Sequence, residues 1–185
     1  MNLDWTQLAP DQLDWHWHAQ LRPRLDGLTD DEYFWEPVPG CWSIRLREDA
    51  TTPLAAGAGD WVADFEFPTP VPAPLTTIAW RLGHVILMFG HRAGNHFGGE
   101  VFEPHLMTWP STADAALRML DEQYARWMSG VASLGEEGMA RAVGPAEGQF
   151  ADSPYATLVL HLNREAIHHG AELALLRDLY ARRTA

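Results

Sequence analysis

The segment HLNREAIHHGAE, residues 161–172, sets three histidines and two glutamates into a stretch that otherwise favours a helix. Residues three and four apart share a helix face. His161, Glu165 and His169 therefore form one i, i+4, i+8 row. The apolar seam around it reads Leu158, Leu162, Glu165, His169, Leu173, Leu176, Tyr180, so a carboxylate and an imidazole interrupt a stripe made for a core. Burying a carboxylate costs on the order of several kcal/mol unless it is paired or bound to a cation. Two chemistries meet that condition: a buried Glu–His or Glu–Arg pair, or a divalent metal ion.

One ion cannot use the whole row. Eight residues rise roughly 12 Å along a helix, whereas metal–ligand bonds are about 2 Å. Glu165 and His169 are the better pair because both lie on the seam, with His161 to its side at the site entrance. Gly170 beside His169 lets a neighbouring helix approach closely. Two ligands make a weak site, so a third must come from elsewhere. The segment LTTIAWRLGHVILMFGHRAGN, residues 75–95, carries His84 and His91 on one stripe with Trp80. His84 is nearer the middle of that helix and has Gly83 next to it; His91 is the substitute if the face is misjudged. The competing role for His84 is a core histidine bonded to a backbone carbonyl. A His84–Glu165–His169 set leaves a fourth position open, which is the catalytic rather than the structural pattern.

Four long helices must position these groups. The first is expected from about Pro10, as first helical residue, to Gly27, with Leu13, Trp17, Leu21 and Leu25 inward and a kink or early end at Pro23. TDDE then has capping-box form, Thr29 with Glu32, for a short turn. Residues 38–72 read as a long loop holding a short strand or two, of the kind that covers a site. The second helix, about Leu75 to Asn95, has two apolar stripes: Leu75, Ile78, Leu82, Ile86, Phe89, and Trp80, His84, Leu87, His91. A helix apolar on two sides sits centrally. The third starts at Ser111 or Thr112 and turns Ala113, Leu117, Leu120, Tyr124, Trp127 and Val131 inward; a second long loop follows. The fourth begins with Ser153 as cap and Pro154 at the first position and runs to about Arg182. An all-α four-helix bundle with long loops after the first and third helices follows, as one domain over residues 1–185.

The charge narrows the function. All 13 basic residues are arginine, against 25 acidic ones, for a formal charge of −12. That opposes nucleic-acid binding, which rests on neutralising phosphates. Cys41 is the only cysteine, so a thiolate cage is excluded and any metal takes nitrogen and oxygen ligands. Cys41 has no local pattern that activates it as a nucleophile. No apolar run is long enough to span a membrane, and the N-terminus lacks a signal-peptide layout, so a cytoplasmic protein is expected. His16 and His18, in WHWH, fall on different helix sides and are read as ordinary residues, with a place in the pocket lining as the alternative. His168 is not expected to ligate, and Glu172 either orients a ligand imidazole or makes an ion pair with Arg164 or Arg177. Of the nine tryptophans, the loop residues Trp42, Trp61 and Trp109 can wall the metal.

LTTIAWRLGHV and HLNREAIHHGAELALLRDLY resemble the DinB-like superfamily of metal-binding four-helix bundles, and LDGLTDDEYFWEPVPGCWSIR is similar to the stretch after the first helix in actinobacterial members. The resemblance covers most of the chain. It implies one histidine from the second helix, His84, joining two residues one turn apart on the last. The commonest pair there is His-x-x-x-His; here Glu165 stands in the first place and His169 in the second. The same Glu-x-x-x-His form is found in mycothiol-dependent maleylpyruvate isomerase. The resemblance implies Zn2+ first and Ni2+ second, a low-molecular-weight thiol (mycothiol in an actinobacterium) as cosubstrate, and a homodimer. The reaction class it implies is thiol-dependent transfer or isomerisation of a small molecule. Metal-assisted hydrolysis and a non-catalytic dimeric stress or sensor protein are the alternatives. Trp80, His91, His161 and Trp42 are expected to line the pocket.

Overall fold

The computed structural model describes residues 4–183; the first three and last two residues of the expected 1–185 domain lie outside that range. The chain is mostly helical. The first helix, α1 (Trp5–His16), starts five residues earlier than expected. Asp4 caps it by accepting from the Thr6 N–H at 2.9 Å, so Pro10 sits inside the helix and costs it one hydrogen bond, to the Thr6 carbonyl. The helix then widens into a π-turn, Trp17–Leu21, in which the Arg22 N–H reaches the Trp17 carbonyl. A short α2 (Arg22–Arg24) holds Pro23. Pro23, which has no N–H to donate, follows the π-turn by two residues, and the helix ends at Arg24, short of the expected Gly27. The inward stripe survives the π-turn: Leu13, Trp17, Leu21 and Leu25 are all buried.

Thr29 caps α3 (Asp30–Tyr33), accepting from the Glu32 N–H at 3.3 Å. Glu32 does not close the box. Its carboxylate takes a two-pronged contact from Arg177, at 2.7 and 3.1 Å. The following loop contains β1 (Ile44–Leu46) and β2 (Trp61–Ala63), paired antiparallel with Arg45 opposite Val62. Asp64, fully buried, fastens the loop. It accepts from the Ser43 N–H (2.9 Å), Arg45 Nε (2.8 Å) and the Thr51 hydroxyl (3.2 Å).

Thr77, not Leu75, opens α4 (Ile78–Phe97) by accepting from the Trp80 N–H. Leu75 is more than half exposed, while Ile78, Leu82, Ile86 and Phe89 are completely buried. Thr112 caps α5 (Ala113–Ala132), whose six expected inward residues are all buried. The segment read as a second loop contains α6 (Gly135–Ala140) and a 3-10 turn, Pro145–Phe150. The last long helix, α7, covers Tyr155–Ala181; Pro154 occupies the cap position and no side chain caps it, so Ser153 does not have the role expected of it. Helix α4 packs on α5 and α7, and α1 on α7 and α5, which closes a ring of four long helices around one apolar core.

Candidate metal centre

The core face of α7 runs through Leu158, Val159, Leu162, Ala166, His169, Gly170 and Leu173. It is rotated slightly from the seam read in the sequence, because the small Ala166 and Gly170 let the neighbouring helices close. Gly170 faces Leu21, where an added Cβ would come within 3.1 Å. The rotation buries His169 and leaves Glu165 at the edge of the α4–α7 groove, partly exposed. Helix α4 presents His84 across that groove. One donor atom from each of His84, Glu165 and His169 lies within 4.8 Å of the others.

The partners of each group set its donor atom. His169 Nδ1–H donates to Glu172 Oε2 at 2.7 Å, which leaves Nε2 with its lone pair facing Glu165, 3.4 Å from Oε2. Arg81 Nε lies 2.9 Å from the same Glu172 oxygen, an ion pair by distance rather than a directed hydrogen bond. Burial opposes ionisation of Glu172, but the His169 hydrogen bond and the Arg81 charge outweigh it and hold the carboxyl below its usual value. Glu172 thus orients a ligand ring, while Arg177 is taken by Glu32 and Arg164 turns to His161 Nδ1 at 2.6 Å.

His84 is held by shape. Trp80 stacks on it with a 4° interplanar angle and 5.7 Å between centroids, and the His169 ring meets it edge-on at 4.7 Å. Neither His84 nitrogen has a hydrogen-bond partner among the described residues, against the alternative of a carbonyl-bonded core histidine. Burial, then the neighbouring His169 and Arg81, push its pKa down to about 4, so the ring is neutral at physiological pH. Two imidazoles and a carboxylate, from two helices and not hydrogen-bonded to one another, are a donor set that fits a divalent cation. His168, His169 and Glu172 also cluster. They stand on one helix, however, and His169 Nδ1 is already committed to Glu172.

Trp80 owes its place to the loop. Trp42 and the start of α4 exchange backbone hydrogen bonds, Trp42 N–H to Leu75 O and Thr77 N–H to Trp42 O, both 2.9 Å. The Trp80 indole N–H donates to the Asp64 carbonyl at 2.8 Å. Trp42 is buried 5.7 Å from Trp80 and lies behind the recesses that reach the centre. Trp61 packs on Phe34. Trp109 does face the site. With Phe65, Trp80 and Leu87 it walls an almost wholly apolar chamber of about 240 Å³ that ends on His84. Gly83 gives Trp109 its room, a Cβ there coming within 2.9 Å of the indole; the close approach is to a loop rather than to a helix.

A second recess, about 300 Å³, also reaches His84 and is lined by His84, Met88, His91, Glu103, His161 and Glu165 among others. His161 stands 3.6 Å from Glu165 Oε1, and burial holds its pKa below the usual value. His91 Nδ1 is 2.9 Å from the Phe102 carbonyl and 3.3 Å from Glu103. Glu103 gave no local signal in the sequence. It is brought in because Gly90 and Gly94 present a bare strip of α4, onto which Phe102 and the Glu100–Val101 backbone close. His168 is exposed, and His16 and His18 bond to their own helix, to Gln20 and Asp14.

No helix is long and apolar enough to cross a membrane among the described residues. No curated protein and no solved structure matches the chain significantly. The sequence model of the DinB superfamily, a group that generally binds divalent metal, matches residues 12–173. That span holds His84, Glu165 and His169, all of α4 and α5, the end of α1 and most of α7, and the chain belongs to the DinB superfamily.

Proposed function

We propose that this protein is a divalent-metal-dependent enzyme of the DinB four-helix-bundle type, a single domain that uses a low-molecular-weight thiol to transfer to, or isomerise, a small molecule. The observation that carries the reading is the convergence of His84, Glu165 and His169 from two helices to within 4.8 Å, with two recesses that reach His84. Glu165 Oε2, His169 Nε2 and a His84 nitrogen would hold the ion, Zn2+ before Ni2+. When bound, it would act as a Lewis acid that lowers the pKa of a thiol or water. Glu172 and Arg81 fix the His169 tautomer, and Trp80 fixes the His84 plane. The chamber of Trp80, Trp109 and Phe65 excludes water and takes an apolar electrophile, while the recess of His91, Glu103 and His161 takes the more polar reactant. The test is to incubate zinc-loaded protein with mycothiol and chlorodinitrobenzene. Metal-dependent consumption of the electrophile, absent in His169→Ala, is expected; equal loss with and without metal refutes the reading.

Hydrolysis is the second reading, and Glu103 favours it. A free carboxylate beside the centre is what water activation needs once Glu165 ligates. Metal-dependent ester hydrolysis that is lost in Glu103→Gln, with metal content unchanged, would select it. A non-catalytic stress or sensor protein accounts for neither recess. We further place the protein in the cytoplasm as a homodimer with no nucleic-acid or membrane partner. Trp5, Leu8 and Trp15, each about half exposed or more along α1, support a helix-face contact, and Trp15→Glu should convert a dimer to monomer in light scattering.

A further inference from the structure

A third recess, about 240 Å³, adjoins the polar side of the centre, since Arg92 and His161 line both. Val143 and Leu158 give it a buried apolar floor with the exposed Phe150 beside them, and Arg92, Arg164, Ser153 and the Glu147 carboxylate also line it. Arg92 lies two helical turns beyond His84, roughly 12 Å along α4. Among the described residues the one carboxylate within 4 Å of it is Glu147, 3.1 Å from Nε, and that contact is not a directed hydrogen bond. Glu147 is already shared with His96, at 2.8 Å. Arg164, mostly exposed, donates to the His161 ring and otherwise stands 3.8 Å from Glu165.

From this arrangement we propose that the ligand seated at the centre is an elongated molecule with a carboxylate end, received in this bay by Arg92 and Arg164. The inference rests on the proposed metal site. The charges favour it. With Glu165 committed to a divalent ion, the ion–Glu165 unit keeps one net positive charge, Arg164 loses its only carboxylate neighbour, and Arg92 is offset only by a Glu147 shared with His96. This face is then cationic in a chain of formal charge −12. Guanidinium groups recognise carboxylates by paired N–H···O contacts, and the apolar floor suits the stem between the two ends.

Two probes of equal length separate the claims: 6-mercaptohexanoate and 6-mercaptohexan-1-ol, titrated calorimetrically into cobalt- or zinc-loaded protein. The acid should bind about ten-fold more tightly at low ionic strength, as one charge-assisted contact gives, and the preference should shrink with added salt. Arg164→Gln, on an exposed side chain, and Arg92→Gln, checked for folding by circular dichroism, should each remove most of it. Equal affinities, binding of neither probe, or a preference that survives in both variants would overturn the proposal. The visible absorption of bound Co2+ is a separate readout: its absence refutes the metal site itself, whereas its presence without carboxylate preference refutes only the bay.

Discussion

Removing the Glu172 carboxylate tests how the candidate centre is tuned. In the folded protein the His169 Nδ1–H donates to Glu172 Oε2 at 2.7 Å, which puts the Nε2 lone pair toward Glu165. Arg81 NH1 is only 3.3 Å from the same Nδ1 and is kept from donating to it because Nδ1 carries a proton. In Glu172→Ala two changes act together. The ring loses its orienting partner, a change that typically costs ten- to hundred-fold in metal affinity. Arg81 also loses its counter-charge and can donate to Nδ1, which favours the tautomer with the proton on Nε2, where the ion must bind. Glu172 is about one-third exposed, so solvent replaces part of the lost hydrogen bond, but water cannot prevent the tautomer switch. We expect Glu172→Ala to raise the Kd for Zn2+ about hundred-fold, or about 2.7 kcal/mol. Glu172→Gln, whose amide oxygen still accepts from Nδ1–H, should raise it about ten-fold. Competition against a chromophoric chelator at pH 7.5 measures both. Arg81→Met in the Glu172→Ala background should restore part of the loss. Wild-type affinity in Glu172→Ala, or no recovery in the double variant, refutes the tautomer argument.

Other perturbations have expected outcomes of their own. His84→Ala and His169→Ala should each return less than one-tenth of the wild-type metal content on elemental analysis, whereas His168→Ala should match wild type. In metal-free protein the folded-state pKa of His84, about 4 against 6.5, makes the unfolded chain take up the proton first. Stability is then complete above pH 6.5 and falls by on the order of 3 kcal/mol as pH drops to 4; urea midpoints of wild type and His84→Asn should converge across that window. Asp64→Ala leaves the Ser43 N–H and Arg45 without their buried acceptor, at a cost of about 3 kcal/mol, and should lower Tm by roughly 6–12 °C. Gly94→Val drives a side chain into the Glu100–Val101 backbone, and should expose residues 100–104 to hydrogen exchange while the core of α4 stays protected.

The apolar periodicity carried the helices, since one face of each must be buried whatever the loops do. Leu13, Leu82, Leu120 and Leu162 are completely buried, as their spacing implies. Glu165 and His169 were readable for the converse reason: polar groups in such a stripe need partners. The helix starts were less readable. Pro10 and Pro154 carry a strong first-turn preference, yet Asp4 captures the first start, and the Ala142–Pro154 bridge holds Pro154 just outside α7. Of the recess walls, Trp80, His91, His161 and Trp109 were named from the sequence, and the remainder were not legible. Glu103, Arg92 and Asp64 acquire their roles from contacts between segments distant in the chain, and no local spacing encodes those. Gly90 and Gly94 were the one available signal, a four-residue repeat of missing side chains on α4 that admits a covering loop.

That division has a consequence for how such a site can change. His84 and His169 stand on helices whose other faces are locked into the core, so their geometry is as rigid as the packing of Leu82, Ile86, Leu162 and Leu173. The chamber and the recess are closed instead by residues 56–65 and 100–109, and these are tied down by a few polar and close-approach contacts: Asp64 to Arg45 and Ser43, the Trp109 indole to the Ala56 carbonyl at 2.6 Å, and Phe102 on Gly90. Substituting Phe65 or Pro104 alters what the recesses accept without touching a ligand or a core leucine. Substituting Asp64 or Gly94 releases the wall itself. Substitutions in these two segments should therefore change reactant choice while leaving metal affinity as it is, and in the Asp64 and Gly94 variants reactant selectivity should fail together with loop order while metal still binds.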